Sequence, residues 1–129
     1  MKSILSIGLL FSFFSALAQK EYFMIVGTYT AGPSDGIYVY KFNPATADSR
    51  LVDSAQTSNP SYLAVSPNEK YVYAVNEDAD TTNTGGNVTS FKFDKNTGSL
   101  DQLNQQPSNG NHPCYISVDK SVRFPYYLF

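Results

Sequence analysis

The stretch "SNPSYLAVSPNEKYVYAVNE", residues 58–77, decides how the rest of the chain is read. It holds two short runs rich in β-branched and aromatic residues, Ser61–Ser66 and Lys70–Asn76, separated by a polar break. In that break Pro67 presets φ and Asn68 tolerates turn geometry, so the stretch reads as two antiparallel strands joined by a tight hairpin. The second run closes on Asn76-Glu77. Those two residues are either ordinary polar residues ending a strand or the mouth of a site, and the stretch alone leaves both readings open.

Working outward, no part of the chain beyond the N-terminal apolar run sustains a helical period. Short apolar runs recur between Gly, Pro, Asn and Asp, which predicts strands near Tyr22–Thr28, Gly36–Phe42, Leu51–Gln56, Asn87–Phe93, Leu100–Gln105, Tyr115–Asp119 and Arg123–Leu128. Ten Tyr and nine Phe agree with sheet rather than helix. Asp78 to Gly86, "DADTTNTGG", is a longer polar loop, either plain surface or part of a rim around a pocket.

The chain also repeats itself. "GIYVYKFNPATADSRL" aligns with "NVTSFKFDKNTGSL", placing Phe42 on Phe93 and Thr46 on Thr97, 51 positions apart. "NPSYLAVSPNEKYVY" aligns with "HPCYISVDKSVRFPY", placing Pro60 on Pro113, Tyr62 on Tyr115 and Val65 on Val118, 53 apart. "YFMIVGT" aligns with "YVYAVNE", 49 apart. Units of about 50 residues holding four short strands are the signature of a β-propeller; a sandwich has no reason to repeat its loops in this way.

The phase of the repeat predicts three blade units. Residues 22–56 give three strands of a blade whose innermost strand would come from elsewhere in the ring. Residues 61–105 give one complete four-stranded blade, and residues 113–129 begin a third. Propellers close with four to eight blades. The expectation is therefore an all-β, incomplete propeller of about two blades, in which Phe129 stands at the second Asn position and the second Glu position would fall just beyond it.

The N-terminus reads differently. Lys2 precedes the apolar run "ILSIGLLFSFFSALA", which ends in Ala16-Leu17-Ala18, the small-x-small pattern of a cleavage site. Residues 1–18 are expected to be a secretory signal peptide and 19–129 the mature domain, exported to the periplasm or the exterior. The run is short for a spanning helix, so no membrane span is expected in the mature chain. The formal net charge of −2, with no basic run, argues against nucleic acid as a partner. One cysteine, Cys114, excludes an internal disulfide; in a strand it reads as a small buried residue. No His, Cys or carboxylate set has metal-ligand spacing, and "DADTTN" lacks the remaining ligands of a calcium loop, so neither metal nor cofactor is expected. "GTYTAGPSDG" lacks the Lys and the glycine spacing of a phosphate loop.

Taken in order, "VGTYTAGPSDGIYVYKFNPAT", "NPSYLAVSPNEKYVYAVNE", "GGNVTSFKFDKNTGSLDQLN" and "GNHPCYISVD" resemble the lactonase family of seven-bladed propellers, related to 6-phosphogluconolactonase and carboxymuconate cyclase. Ala47-Asp48 departs from the more usual Gly after "NPAT". The resemblance covers about the first third of a usual member. It implies a small lactone or carbohydrate-derived substrate, no cofactor, and a parent enzyme that hydrolyses the lactone or runs the reverse-type ring closure of a muconate.

The candidate site residues are Glu77 and His112 as the acid/base pair, with Asn76, Asn111 and Tyr29 contacting substrate. Glu77 follows a strand end, where loops converge near one rim, and His112 enters the next blade near the same rim. A Glu and a His near each other could share a proton, one activating water and the other protonating a leaving alkoxide. Lactone hydrolysis also needs a holder for the developing oxyanion. The plainer readings are a solvated Glu77, an Asn76 that caps the turn, a Tyr29 that only packs, and Tyr62 and Tyr115 as core or inter-blade packing. The chain alone is expected to be inactive, because basic residues for an anionic substrate would come from later blades. The alternative is a non-catalytic propeller whose mouth binds a glycan, peptide or protein; fold alone does not decide.

Overall fold

The computed structural model describes residues 20–120. Seven strands run in order: β1 (Tyr22–Gly27), β2 (Gly36–Phe42), β3 (Ser49–Gln56), β4 (Pro60–Val65), β5 (Tyr71–Asn76), β6 (Asn87–Phe93) and β7 (Leu100–Pro107). They form two antiparallel meanders, a three-stranded sheet β1-β2-β3 and a four-stranded sheet β4-β5-β6-β7. This is the division that the phase of the repeat predicts. The expected strand Arg123–Leu128 and the leader 1–18 lie outside the described residues.

The hairpin at residues 66–70 forms, with a division of labour that the sequence does not announce. Glu69, not Asn68, takes the left-handed backbone, at φ 58°. The Asn68 side chain instead accepts from the Ser66 hydroxyl (2.7 Å) and the Lys70 N–H (3.0 Å), closing an Asx-type turn. The turns between β2 and β3 and between β6 and β7 are copies of each other. Asn43 Oδ1 accepts from Ala45 N, and Asp94 Oδ1 accepts from Asn96 N. Each then needs a left-handed residue, Ala47 at φ 60° and Gly98 at φ 85°. β3 and β7 both extend beyond their predicted ends, to Ser49 and Pro107, because pairing with β2 and β6 carries polar residues into the ladder.

The sheets pack face to face. Ile37 and Val39 of β2 meet Val72 and Ala74 of β5, Phe91 and Phe93 of β6, and Leu100 of β7, with Phe23, Ile25, Val52, Ala55 and Leu63 packed around them. Phe23 meets Phe93 edge-on, with ring centroids 5.6 Å apart. A side chain the size of Phe91, fully buried here, stabilises by roughly 1.5–3 kcal/mol relative to exposure. The period of two along β5 turns Tyr73 and Val75 the other way, against Ile116, with Val118 beside them.

Residues 115–119 thus cover the second sheet, as a third blade would, but they bear no ladder and are not a strand. A strand exists only by pairing, and none of the described residues pairs with this segment. One further expectation changes here. Cys114 is exposed rather than buried. Tyr62 and Tyr115 meet across the seam, with centroids 4.9 Å apart, the inter-blade alternative of the two expected, and both remain exposed.

Candidate functional site

Antiparallel order fixes where the loops gather. Pro60 pairs with Asn76, Asn76 with Asn87, and Asn87 with Pro107, so the start of β4 and the end of β5 lie at one end of the second sheet. Gly27, Ile37 and Ala55 mark the matching end of the first sheet. The crossovers 57–59 and 108–112 and the loops 28–35 and 77–86 all emerge there. At this end the first sheet's backbone comes very close to the second. A Cβ placed on Gly27 would lie 2.1 Å from the Pro60 carbonyl oxygen.

Two of the predicted residues meet across this seam. The Tyr29 hydroxyl donates to Glu77 Oε2 at 2.8 Å. The Ser61 hydroxyl and the Tyr29 hydroxyl hold the Glu77 carboxyl below the usual carboxylate range; partial desolvation opposes them, and the charge of nearby His112 adds to them. Tyr29 is correspondingly pushed up, first by its hydrogen bond to Glu77, then by desolvation and by the charges of Glu77 and Cys114. Tyr29, Ser61, Glu77, His112 and Cys114 therefore form one neighbourhood drawn from both sheets and from the segment that enters the third blade. His112 itself is exposed. Its left-handed backbone, φ 53°, is held by its N–H donating to the Asp78 carbonyl (2.9 Å).

Asn76, expected to touch substrate, is completely buried. Its amide donates to the Thr57 hydroxyl at 2.7 Å and to the Ser58 carbonyl. Its Oδ1 accepts from the Thr89 hydroxyl at 2.6 Å and from Gln105 Nε2 at 3.2 Å. The residue fixes the end of β5, and so the take-off of Glu77, rather than facing solvent. Asn111 is engaged as well. Its Oδ1 accepts from Asp80 N (3.1 Å) and Gly85 N (2.9 Å), and its Nδ2 donates to Asp80 O (2.8 Å), closing the loop 78–86. Asp80 organises the tip of that loop by accepting from the backbone and hydroxyls of Thr82 and Thr84.

The sequence reading overlooked Ser61 and Asn59. Ser61 is an unremarkable strand residue until Glu77 is folded back beside it. Asn59 carried a visible signal: in the repeat it falls on His112, each standing before a proline. Both residues take positive φ, 38° and 53°. A shallow cavity of about 410 Å³ is lined by Thr28, Tyr29, Gly32, Pro33, Ser34 and Tyr38. Among the described residues no group of His, Cys, Asp and Glu side chains is placed to hold a metal ion.

Residues 23–126 match the family described as lactonase, 7-bladed β-propeller, and the chain belongs to that family. A 6-phosphogluconolactonase of Formosa agariphila is 38% identical over 103 residues, covering 78% of this chain and 29% of its own length. A crystal structure of a candidate 6-phosphogluconolactonase from Bacteroides fragilis superposes with a TM-score of 0.73 at 42% identity, covering 82% of this chain and 29% of that one. The periplasmic gluconolactonase of Pseudomonas aeruginosa gives a TM-score of 0.66 at 39% identity, covering 73% of this chain and 27% of that one. The chain thus spans less than a third of the length of these relatives.

Proposed function

We propose that this chain supplies the first blades of an exported propeller that hydrolyses a small, carbohydrate-derived lactone, with Glu77 and His112 at the site. The observation that carries the reading is the Glu77 carboxylate, gripped by Tyr29 at 2.8 Å and lying within the field of His112, at the loop end of the blades. In hydrolysis a water adds to the lactone carbonyl, the ring C–O bond breaks, and a hydroxy acid is formed. A carboxyl held low in pKa is a poor proton donor and stays ionised at neutral pH. Glu77 therefore takes the accepting role, drawing on the attacking water or on a substrate hydroxyl. His112 is the group left to protonate the departing alkoxide. Tyr29 serves first by fixing that carboxylate and second by facing the substrate; Asn76 and Asn111 hold the two loops in register. The oxyanion must be met by donors from other blades, so the chain by itself is inactive.

The relatives named as 6-phosphogluconolactonases support the lactone class. The periplasmic relative supports export; the leader reading of residues 1–18 comes from the sequence, and mass spectrometry of the secreted chain is expected to find Gln19 at its N-terminus. A non-catalytic propeller that binds a glycan, peptide or protein is the second reading. The low carboxyl favours it, since an ionised Glu77 is as good an acceptor for a bound hydroxyl as for a reacting water. Lactone hydrolysis by a complete ring carrying these blades separates the two. Glu77→Ala and His112→Ala are each expected to lower kcat by about 100-fold or more. Unchanged rates in both variants remove these residues from the chemistry.

A further inference from the structure

We infer that Asn59 is a positioning residue for the Tyr29–Glu77 pair, a staple across the seam between the first two blades; the inference rests on the reading of Glu77 as the functional carboxylate. Every polar group of Asn59 is used at that seam. Its Oδ1 accepts from the Thr30 N–H (2.9 Å) and the Thr30 hydroxyl (3.1 Å), fixing the residue next to Tyr29. Its own N–H donates back to the Thr30 hydroxyl at 3.2 Å. Its Nδ2 donates to Asp78 Oδ1 (2.7 Å), and its carbonyl accepts from the Glu77 N–H (3.0 Å), fixing Glu77 from both sides. One residue thereby holds the backbone under the phenol and the backbone under the carboxylate in a single frame. Without it, each partner of the 2.8 Å bond sits on a separate polar loop.

The backbone supports the same assignment. Asn59 lies at φ 38°, a left-handed conformation that asparagine tolerates better than most residues. Glycine would relieve that strain, so retention of a side chain here points to the bonds it makes. At the next seam the equivalent position is His112, also left-handed. One seam therefore carries an amide staple and the following one an imidazole on the same backbone stand. That difference makes the first seam the one that holds the carboxylate and the second the one that brings a titratable ring to it.

The test is the titration of the Glu77 carboxyl, followed by carbon-detected NMR on the full 129-residue chain. The groups facing Glu77 are Tyr29, Ser61 and His112, with Asp78 next in sequence and Cys114 beside Tyr29. Asn59→Gly keeps the backbone conformation and the backbone bonds to Thr30 Oγ1 and Glu77 N–H, and removes the side-chain arms to Thr30 and Asp78. It is expected to move the Glu77 midpoint upward, in the direction of Tyr29→Phe and no farther. Combined with Tyr29→Phe it is expected to add little, because both act on one hydrogen bond. Thr30→Val, which removes the two bonds of the Thr30 hydroxyl and leaves the Thr30 N–H and Asp78 arms in place, is expected to give a smaller shift of the same sign, and it provides the reading should the glycine variant fail to fold. A folded Asn59→Gly chain with lowered stability and an unmoved Glu77 midpoint would show a merely structural asparagine and overturn the inference; so would full additivity with Tyr29→Phe. This readout needs no activity. A moved midpoint together with unchanged hydrolysis by a complete ring carrying Glu77→Ala would uphold the staple and remove Glu77 from the chemistry.

Discussion

At one register of the repeat the first blade has Gly27 and the second has Asn76. Gly27 is small because the neighbouring chain needs its space: the Pro60 carbonyl would lie 2.1 Å from any Cβ. Asn76 stands at the same strand end, yet it is fully buried and bonded to Thr57, Ser58, Thr89 and Gln105. Two blades built on one pattern thus close their strand ends by opposite means, one by emptiness and one by a saturated polar knot. The difference comes from the neighbour each end faces, not from the strand that carries it.

The comparison breaks hardest at Asn76. Asn76→Leu keeps the branched outline but is bulkier and deprives the buried Thr89 hydroxyl and the Thr57, Ser58 and Gln105 groups of this partner, which is expected to cost about 2–4 kcal/mol in urea denaturation. Gly27→Ala attacks the same contact by overpacking and is expected to cost about 1–3 kcal/mol. A neutral result there would mean that the two backbones do not approach as described.

The paired turns sharpen the comparison at smaller scale. Gly98→Ala adds a methyl at φ 85° and 2.5 Å from the Phe23 ring, and a loss of about 1–3 kcal/mol is expected. Ala47→Gly, at the equivalent turn with φ 60°, runs the other way and is expected to raise stability by about 0.5–1 kcal/mol after the extra unfolded-chain entropy of glycine. Thermal melts of the two variants should move in opposite directions.

Acid acts on the turns and on the site together. Asp94 is held low first by the Asn96 N–H, Asp80 first by the Thr84 N–H, and Glu77 first by the Ser61 hydroxyl. A carboxyl depressed in the folded state contributes stability above its unfolded pKa, and that contribution is lost as pH falls through the folded value. Stability is therefore expected to hold from neutral pH down to the ordinary carboxylate range and to decline below it. Denaturation midpoints measured from pH 7 to pH 2 check the sign. Smallest of all is the Lys95–Glu69 pair between neighbouring turns, 3.5 Å apart with both side chains mostly exposed. Lys95→Ala is expected to change stability by less than about 0.5 kcal/mol.

Much of the architecture was legible because strands repeat their needs. Apolar alternation, turn residues and the offsets near 50 positions predict seven of the strands, their order and the three-plus-four division. The misreadings fall where a local pattern competes with a partner. Asn68 could be read only as tolerating turn geometry; its side chain serves as the acceptor and Glu69 takes the left-handed backbone. Cys114 sits in an apolar run yet faces out, because the run makes no ladder among the described residues and only Ile116 is buried from it. At the site, Glu77, Tyr29 and His112 could be named from strand ends and register. Their arrangement could not, since Asn59 enters it through the crossover between the sheets and Ser61 through the pairing of β4 with β5.

The sequence by itself therefore determined the blade: its length, its strands, its turns and the end at which polar loops collect. All of these follow from the local backbone preferences and period-two burial that each copy carries within itself. Only the tertiary structure decided what stands beside Glu77, that Asn76 is interior, and that Asn59 ties Tyr29 to the carboxylate. The Thr30–Asn59 and Tyr29–Glu77 contacts join residues 29 and 48 apart along the chain, and Asn76 is enclosed by the crossover together with its own sheet. A seam between two sheets is set by how they pack, and that is written in neither strand alone.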